Sequence, residues 1–198
     1  MITKMIRNLT SKTIKVLEPH SDVTLQKLQA GYMGLNGAYS YYYWTMDKLK
    51  EIGFDPELDA LVFPDKGAMN RYANRYPEAK NLIVGSKNRD FATGEIISIT
   101  AELVKGTATV RKAFVIDDIC SYGGTFKRLK TDALVRLLPE NTEYVLVVTH
   151  AENAIINGGV LAYYDEVHAT NSLYSLENEV KAKIHIHNIL PTVEEKIK

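Results

Sequence analysis

The residues best suited to chemistry in this 198-residue sequence stand in one short stretch, 115–125. An apolar run leads into two carboxylates, Asp117 and Asp118, and a glycine pair then opens a pattern of helical spacing. Glycine permits positive φ and close approach to the backbone, and the unpaired N–H groups of a helix start attract anions. Because like charges repel, the carboxylates suit ribose hydroxyls or a divalent cation instead of a phosphate. The stretch therefore predicts a site for a phosphorylated ribose.

The same residue pattern has a simpler interpretation as a strand-to-helix turn with a capping aspartate. An isolated match to so short a motif does not separate the two interpretations. The elements that surround the stretch, and the polar residues that follow them, decide between a ligand site and a plain turn.

Short β-rich runs alternate with helix-length segments along the chain. The predicted strands are 13–17, 58–63, 81–84, 113–116, 144–148, 166–170 and 183–189, and the predicted helices are 39–52, 67–76, 125–138 and 155–163. This alternation predicts an α/β fold, with a mostly parallel sheet that helices cover on both faces. Ligands bind beyond the carboxyl ends of the strands in such sheets, so the polar residues after each strand are the candidates for a site.

Composition limits the classes of partner. The 24 basic and 24 acidic residues cancel and no Lys/Arg run stands out, so neither nucleic acid nor an anionic membrane is expected as a partner. No apolar stretch approaches the roughly 20 residues that span a bilayer, and no secretory signal is seen. The single cysteine, Cys120, excludes an internal disulfide and fits a reducing compartment. We therefore expect a cytoplasmic protein, and carboxylates beside Cys120 disfavour a reactive thiol.

Two further groups of residues favour structural interpretations. The aromatic cluster Tyr39, Tyr41, Tyr42, Tyr43 and Trp44 invites stacking on a nucleobase, although such clusters more often pack a core or an oligomer interface. His185 and His187 alternate on a late strand and so share one face. With no acidic or cysteine partner nearby in the sequence, a half-exposed strand face is favoured over a metal site.

The acidic stretch resembles the phosphoribosyl-diphosphate loop of the type I phosphoribosyltransferases, in which two acidic residues precede a short segment that ends in Gly-Thr. Other segments resemble one branch, the ribose-phosphate diphosphokinases. The matching segments, in chain order, are VLEPHSDVT, ALVFPDKGAMNRY, KNRDFATGEI, VKGTATVRKAFVIDDICSYGGT, VTHAENAIINGG and EVHATNSL. Each match alone is weak, but together they extend over nearly the entire chain in the order of the family.

The resemblance implies a phosphoribosyltransferase-like, Rossmann-like three-layer fold that transfers a diphosphoryl group from Mg-ATP to ribose 5-phosphate. It implies that Lys87 and Arg89, in a segment like the mobile catalytic loop of the family, stabilise charge on the transferring group. It also implies that His20 and Asp65 help to bind Mg²⁺. The residues that it implies for binding ribose 5-phosphate are Asp117, Asp118, Ser121, Tyr122, Gly123, Gly124 and Thr125.

The sequence also departs from the family. Ser121 and Tyr122 stand where the family usually has an aspartate and a threonine, which changes the phosphate cradle and brings a larger acceptor such as ADP-ribose into question. Family members have two similar domains, so 1–24 is interpreted as the end of a first domain and 25–198 as the phosphoribosyltransferase-like domain. This predicts a truncated or split gene, an internal start, a homo-oligomer, or a companion chain that supplies the first domain.

Two other functions stay open on the sequence alone. One is a phosphoribosyltransferase that consumes phosphoribosyl diphosphate and attaches a base, because the Asp117 loop is common to both classes. The other is a non-catalytic chain that binds ribose phosphates or pairs with a full-length synthetase as a regulatory subunit.

Overall fold

The computed structural model describes residues 14–29, 39–90, 93, 96–173 and 183–189. The chain forms two compact units. The first contains Met1–Trp44 and Ile189–Lys198, and the second contains Thr45–Asn188. The boundary that the sequence places after residue 24 stays a prediction. None of the helices in the described part of the chain has the length and apolar character that a bilayer crossing needs.

The described part of the first unit contains two short parallel strands, β1 (Ile14–Leu17) and β2 (Tyr39–Tyr42), and the helix α1 (Asp22–Gln29). Strand β2 contradicts the predicted start of a helix at residue 39. Aromatic residues favour extended backbone when a partner strand is available, and β1 supplies that partner. The helix begins only at Trp44, as α2 (Trp44–Glu51). Of the aromatic cluster, Tyr43 and Trp44 are buried, which agrees with packing in a core, and the side chains of Tyr39, Tyr41 and Tyr42 lie outside the described residues.

The second unit is built on a seven-stranded sheet in the order β5-β4-β3-β6-β7-β8-β9. Its strands are β3 (Ala60–Phe63), β4 (Asn81–Arg89), β5 (Ile96–Lys105), β6 (Lys112–Cys120), β7 (Glu143–Ala151), β8 (Glu166–Thr170) and β9 (Ile184–His187). All neighbouring pairs are parallel except β4 and β5. All four residues of β3 are fully buried, as expected where both faces of a parallel sheet are covered. The predicted mostly parallel α/β fold is confirmed.

Strand β5 was not predicted, and its pairing with β4 changes the secondary structure of the segment that contains Lys87 and Arg89. Strand β4 runs to Arg89 instead of ending at Val84, because β5 pairs with it in antiparallel register from Leu82 onwards. Lys87 and Arg89 therefore lie on a strand of a β-hairpin and not in an open loop. The pairing of β4 with β3 ends at Val84, so its end from Lys87 to Arg89 is paired only with β5 and charged residues are tolerated there.

The helices differ from the predictions mainly at glycine. The predicted helix 155–163 is two single turns, Asn153–Ile156 and Val160–Ala162, separated by Gly158 and Gly159. Gly159 has a φ of 73°, which ends one turn and starts the next. Elsewhere α3 (Lys66–Tyr72) follows β3, and the predicted helix 125–138 is observed as three consecutive helical segments, Gly124–Arg128, Leu129–Leu134 and Val135–Leu137.

Asp59 joins the amino ends of two central strands. Its carboxylate has no exposed surface and accepts hydrogen bonds from Arg111 Nε at 3.0 Å and Nη2 at 2.8 Å. The backbone N–H groups of Asp55 and Lys112 donate to it as well, at 2.9 and 3.2 Å. A buried carboxylate with four donors is satisfied, and it ties the start of β3 to the start of β6.

We predict that Asp59→Ala destabilises the protein by about 1 to 3 kcal/mol, because it leaves two partly buried backbone N–H groups without their acceptor, whereas the half-exposed guanidinium of Arg111 returns to water. Urea unfolding measures the change. The control is Glu143→Gln at the neighbouring pair with Lys112, whose carboxylate is 54% exposed and whose loss costs below about 1 kcal/mol. Equal losses in the two variants would contradict the role given to Asp59.

Candidate functional site

A cavity of about 700 Å³ opens at the carboxyl end of β6. It is lined by Lys87 on β4, by Asp117 and Ile119 on β6, by the segment 121–126 and by Arg128. The hairpin and the acidic stretch, which are far apart in the sequence, thus face one space. The cavity brings together Lys87 and six of the seven residues predicted to bind ribose 5-phosphate; the seventh, Asp118, does not line it.

The two carboxylates lie within β6 and not after it, which corrects the predicted end of this strand at residue 116. Pairing with β7 continues to Cys120, opposite Ala151, because β7 is equally long. Alternation along the strand separates the two side chains. Asp117 lines the cavity, whereas Asp118 is buried with 4% of its surface exposed.

Arg71 of α3 holds both carboxylates. Its Nη1 donates to Oδ1 of Asp117 at 3.2 Å and to Oδ1 of Asp118 at 3.0 Å, and only 12% of its side chain is exposed. The sequence comparison contained Arg71 in a matching segment but gave it no role. It stands 46 residues before Asp117, so its contact depends on the neighbouring positions of β3 and β6 in the sheet.

Burial, together with the side-chain hydrogen bond and charge of Asp118, raises the pKa of Asp117 to about 7 against the opposing effects of the Asp118 backbone N–H and of Arg71. Near neutral pH the carboxyl group of Asp117 therefore exists in both its protonated and its ionised form. The protonated form is able to donate a hydrogen bond to a hydroxyl group, and the ionised form is able to accept one. Burial together with the charges of Asp117 and Glu152 raises the pKa of Cys120 to about 12. This agrees with the expectation that the thiol is unreactive.

The glycine turn after β6 is fixed by close packing. Gly123 has a φ of 77°, and a Cβ atom there would lie 2.5 Å from Cβ of Val160. A Cβ atom on Gly158 would lie 1.6 Å from the carbonyl oxygen of Tyr122. In contrast, apart from its own chain neighbours and helix backbone, no described residue lies within 4 Å of the Cβ position of Gly124. The backbone at Gly124, where the helix starts, is therefore accessible from the cavity.

Lys87 is paired with Asp65 in this arrangement. Its Nζ donates to Oδ2 of Asp65 at 2.9 Å, while Oδ1 of Asp65 accepts the backbone N–H of Ala68 at 3.0 Å and caps α3. Although burial raises the pKa of Asp65, these two donors outweigh it and lower the pKa. Arg89 pairs with Ile96 through the backbone, and its side chain lies outside the described residues.

One of the two predicted magnesium ligands, Asp65, is engaged by two hydrogen-bond donors. Magnesium binds oxygen ligands, but both carboxylate oxygens of Asp65 already accept hydrogen bonds, and the Lys87 ammonium repels a nearby cation. His20 is exposed in the first unit, between β1 and α1. The assignment of His20 and Asp65 to magnesium stays a prediction.

Two side chains at the cavity shape its mouth. Tyr122 is 64% exposed, so the residue that replaces the usual threonine of the family presents a ring instead of a small hydroxyl group. Arg128 was not found from the sequence. Its Nε donates to Oδ2 of Asp132 at 2.9 Å and its Nη2 donates to the carbonyl of Ile97 at 3.1 Å, which links the helix after β6 to the hairpin.

Comparison with known proteins supports the fold. No protein-family model matches the chain, and no curated protein matches it in sequence. A crystal structure of phosphoribosylpyrophosphate synthetase from Mycobacterium smegmatis is similar, with a TM-score of 0.70, 17% identity, and coverage of 99% of this chain and 61% of that chain. Purine phosphoribosyltransferase from Pyrococcus horikoshii Ot3 gives a TM-score of 0.37 at 10% identity, over 74% of this chain and 84% of that chain. This chain therefore has the fold of the synthetase, but it spans only 61% of the length of the synthetase chain.

We predict a pH-dependent effect of Asp117→Asn. The pKa of Asp117 in the folded protein, about 7, exceeds its ordinary value of 3.8, so its stabilising protonated form is complete below about pH 4 and is lost as the pH rises to about 7. The amide does not titrate. The variant should therefore gain stability over the native protein across this range, by up to about 4 kcal/mol at pH 8.

Urea unfolding at a series of pH values measures this difference. A flat difference for Asp117→Asn would mean that Asp117 is ionised without cost in the folded protein.

Proposed function

We propose that this chain binds ribose 5-phosphate in the cavity at the end of β6 and transfers a diphosphoryl group to it from Mg-ATP. The observation that carries the proposal is that one cavity joins Lys87 to Asp117 and the glycine turn. Cationic and ribose-binding groups are both required for this reaction, and neither alone distinguishes it from simple ligand binding. The fold of the synthetase is consistent with the proposal.

The turn at Gly123 and Gly124 supports binding of the 5-phosphate. The start of the helix presents backbone N–H groups, Gly124 leaves them accessible, and Thr125 adds a hydroxyl group at the cavity wall. Asp117 lies at the strand end that leads into this turn, where its carboxyl group suits the hydroxyls of the ribose ring. The ribose would therefore lie beside Asp117, and the 5-phosphate would lie beside the glycine turn that follows it in the chain.

The proposed transfer forms one phosphorus–oxygen bond and breaks another. The oxygen on the anomeric carbon of ribose 5-phosphate bonds to the β-phosphorus of ATP, and the bond from that phosphorus to the α–β bridging oxygen breaks. AMP leaves with the bridging oxygen, and the proton of the attacking hydroxyl passes to water. Lys87 exchanges Asp65 for the phosphate oxygens and neutralises their charge, which is the main contribution a protein makes to such reactions. Magnesium enters with ATP as part of the substrate.

We predict that Lys87→Ala lowers ribose-dependent AMP release by about 100-fold or more, while ribose 5-phosphate still binds, because the ammonium acts on charge that develops during transfer. The control is Lys80→Ala, an exposed lysine outside the cavity with a weak pair to Glu57 at 3.8 Å. The assay covers a range of protein concentrations, because activity that depends on a homo-oligomer rises with the concentration of the chain. Unchanged turnover in Lys87→Ala would overturn the catalytic role.

A second candidate is a chain that binds ribose phosphates without turnover. It is favoured by the pairing of Lys87 with Asp65 and of Arg71 with both carboxylates of β6, because these contacts are complete without any ligand. Calorimetry separates the two candidates. Ribose 5-phosphate binding with no AMP release at any protein concentration supports the second candidate, and base-dependent release of diphosphate from phosphoribosyl diphosphate would indicate a phosphoribosyltransferase instead.

We predict that Gly124→Ala weakens ribose 5-phosphate binding by about tenfold or more and leaves the free energy of unfolding within about 1 kcal/mol. The fold has space for the methyl group, but the group occupies the position from which a phosphate approaches the backbone. Gly53→Ala is the matched control. Because Gly53 has a φ of 79°, Gly53→Ala should lower stability without changing binding. Equal binding in both variants would show that the phosphate does not bind at the turn of Gly123 and Gly124.

A further inference from the structure

A second cluster of ligating side chains lies on the last two strands of the sheet, away from the cavity lining. It consists of Glu166 and His168 on β8 and His185 on β9. One ligand atom from each residue lies within 4.8 Å of the other two. His185 has no acidic neighbour in the sequence, because Glu166 and His168 are distant in the chain and come together with it only through strand pairing.

The backbone fixes this arrangement. His168 and His185 are direct partners in the parallel register of β8 and β9, so their side chains stand on the same face about 4.8 Å apart. Glu166 precedes His168 by two residues and therefore shares that face. Val167 and Ile184 alternate to the other face and are buried in the main core. The three ligands are thus held together by the same pairing that builds the sheet edge.

Contacts within the cluster orient His168. Its Nε2 lies 3.0 Å from Oε2 of Glu166, and its Nδ1 lies 3.2 Å from Nε2 of His187. With the proton on Nε2, His168 donates to Glu166 and its Nδ1 accepts from His187; with the proton on Nδ1, His168 donates to His187 instead. A metal ion that replaces the proton at Nε2 would have Nε2 of His168 and Oε2 of Glu166 as neighbouring ligand atoms. Ligating histidines in proteins usually hold their second ring nitrogen in such a hydrogen bond.

We propose that Glu166, His168 and His185 bind one divalent transition-metal ion, with Zn²⁺ as the ion that this ligand set suits best. Two imidazoles and one carboxylate are a ligand set that zinc accepts, and imidazole favours zinc, copper and nickel over magnesium. His168 is buried with 4% of its surface exposed, and 44% of the Glu166 side chain is exposed. His185 is exposed as well, so the ion is reached from solvent and water completes its coordination.

Binding requires a small local adjustment. Ligand atoms bonded to one zinc ion at about 2.0–2.1 Å lie closer together than the 4.8 Å limit of this cluster. The rings of His168 and His185 are stacked at 4.7 Å with an interplanar angle of 16°, so the exposed ring of His185 must turn towards the ion. The nearby positive charge of Lys48 is paired with Glu51 at 2.7 Å, which reduces its repulsion of a cation.

The test is a titration of the full, untagged chain with Zn²⁺ after removal of metal by chelation. We expect one ion per chain and a rise in the unfolding temperature, and Co²⁺ should give the visible bands of a low-coordinate site. His185→Asn replaces an exposed residue, so it folds, and it should weaken Zn²⁺ binding by about 100-fold. His150→Asn, which changes a histidine bonded to Ser172 at 2.7 Å, should bind like the native protein.

Several outcomes would overturn the proposal. These are failure to bind one ion per chain, equal affinity of the native protein and His185→Asn, and equal loss in His150→Asn. Mg²⁺ in excess should not displace Zn²⁺, and displacement would point to an oxygen-ligand site elsewhere. None of these results depends on ribose phosphate or ATP, so this proposal and the proposed transfer reaction stand or fall separately.

Discussion

The site depends on the contact between one guanidinium and two carboxylates at the end of the central strand β6. Asp117 and Asp118 are consecutive, largely buried and of like charge, and burial alone would favour their protonation or expulsion into water. Arg71 offsets this cost by donating to both from α3. The contact also joins β6 to the helix that follows β3, so it fixes the floor of the cavity and the start of the glycine turn together. The elements that carry Lys87 and Arg128 are positioned against that floor.

Close packing of the turn complements this electrostatic contact. Gly158 and Gly123 allow the chain after β6 and the chain after β7 to approach more closely than any side chain would permit. The approach holds the backbone of 121–125 in place, while Gly124 faces open space. Rigidity on one side and access on the other is what an anion site built from backbone N–H groups requires. The conformational freedom of the glycines is therefore used at different positions for packing and for access.

Local patterns in the sequence were sufficient for the parallel core and for the acidic turn, because strand and helix periods and Gly-Gly pairs are properties of neighbouring residues. Contacts across the sheet were not accessible in the same way. Arg71 stands 46 residues from Asp117, and Glu166 meets His185 only through the register of β8 and β9. Strand β5 pairs with the end of β4, and that end, from Lys87 to Arg89, is charged. Because charged residues do not indicate a strand, neither this end of β4 nor β5 was predicted. In each case the deciding interaction is between elements and not within one.

The described cations around the cavity already have carboxylate partners, and this restricts the kind of ligand that the cavity is able to take. Lys87 is bonded to Asp65 at 2.9 Å, Arg128 to Asp132 at 2.9 Å, and Arg71 to Asp117 and Asp118. The hydroxyl groups of a neutral sugar bind these cations less strongly than the carboxylates that they would displace. A phosphate group carries more charge and more acceptor oxygens, so it is able to compete for Lys87 and leave Asp65 to its hydrogen bond with Ala68. Under the proposed function, the pairs that must be broken would favour a phosphorylated ligand, as would the bonds that form.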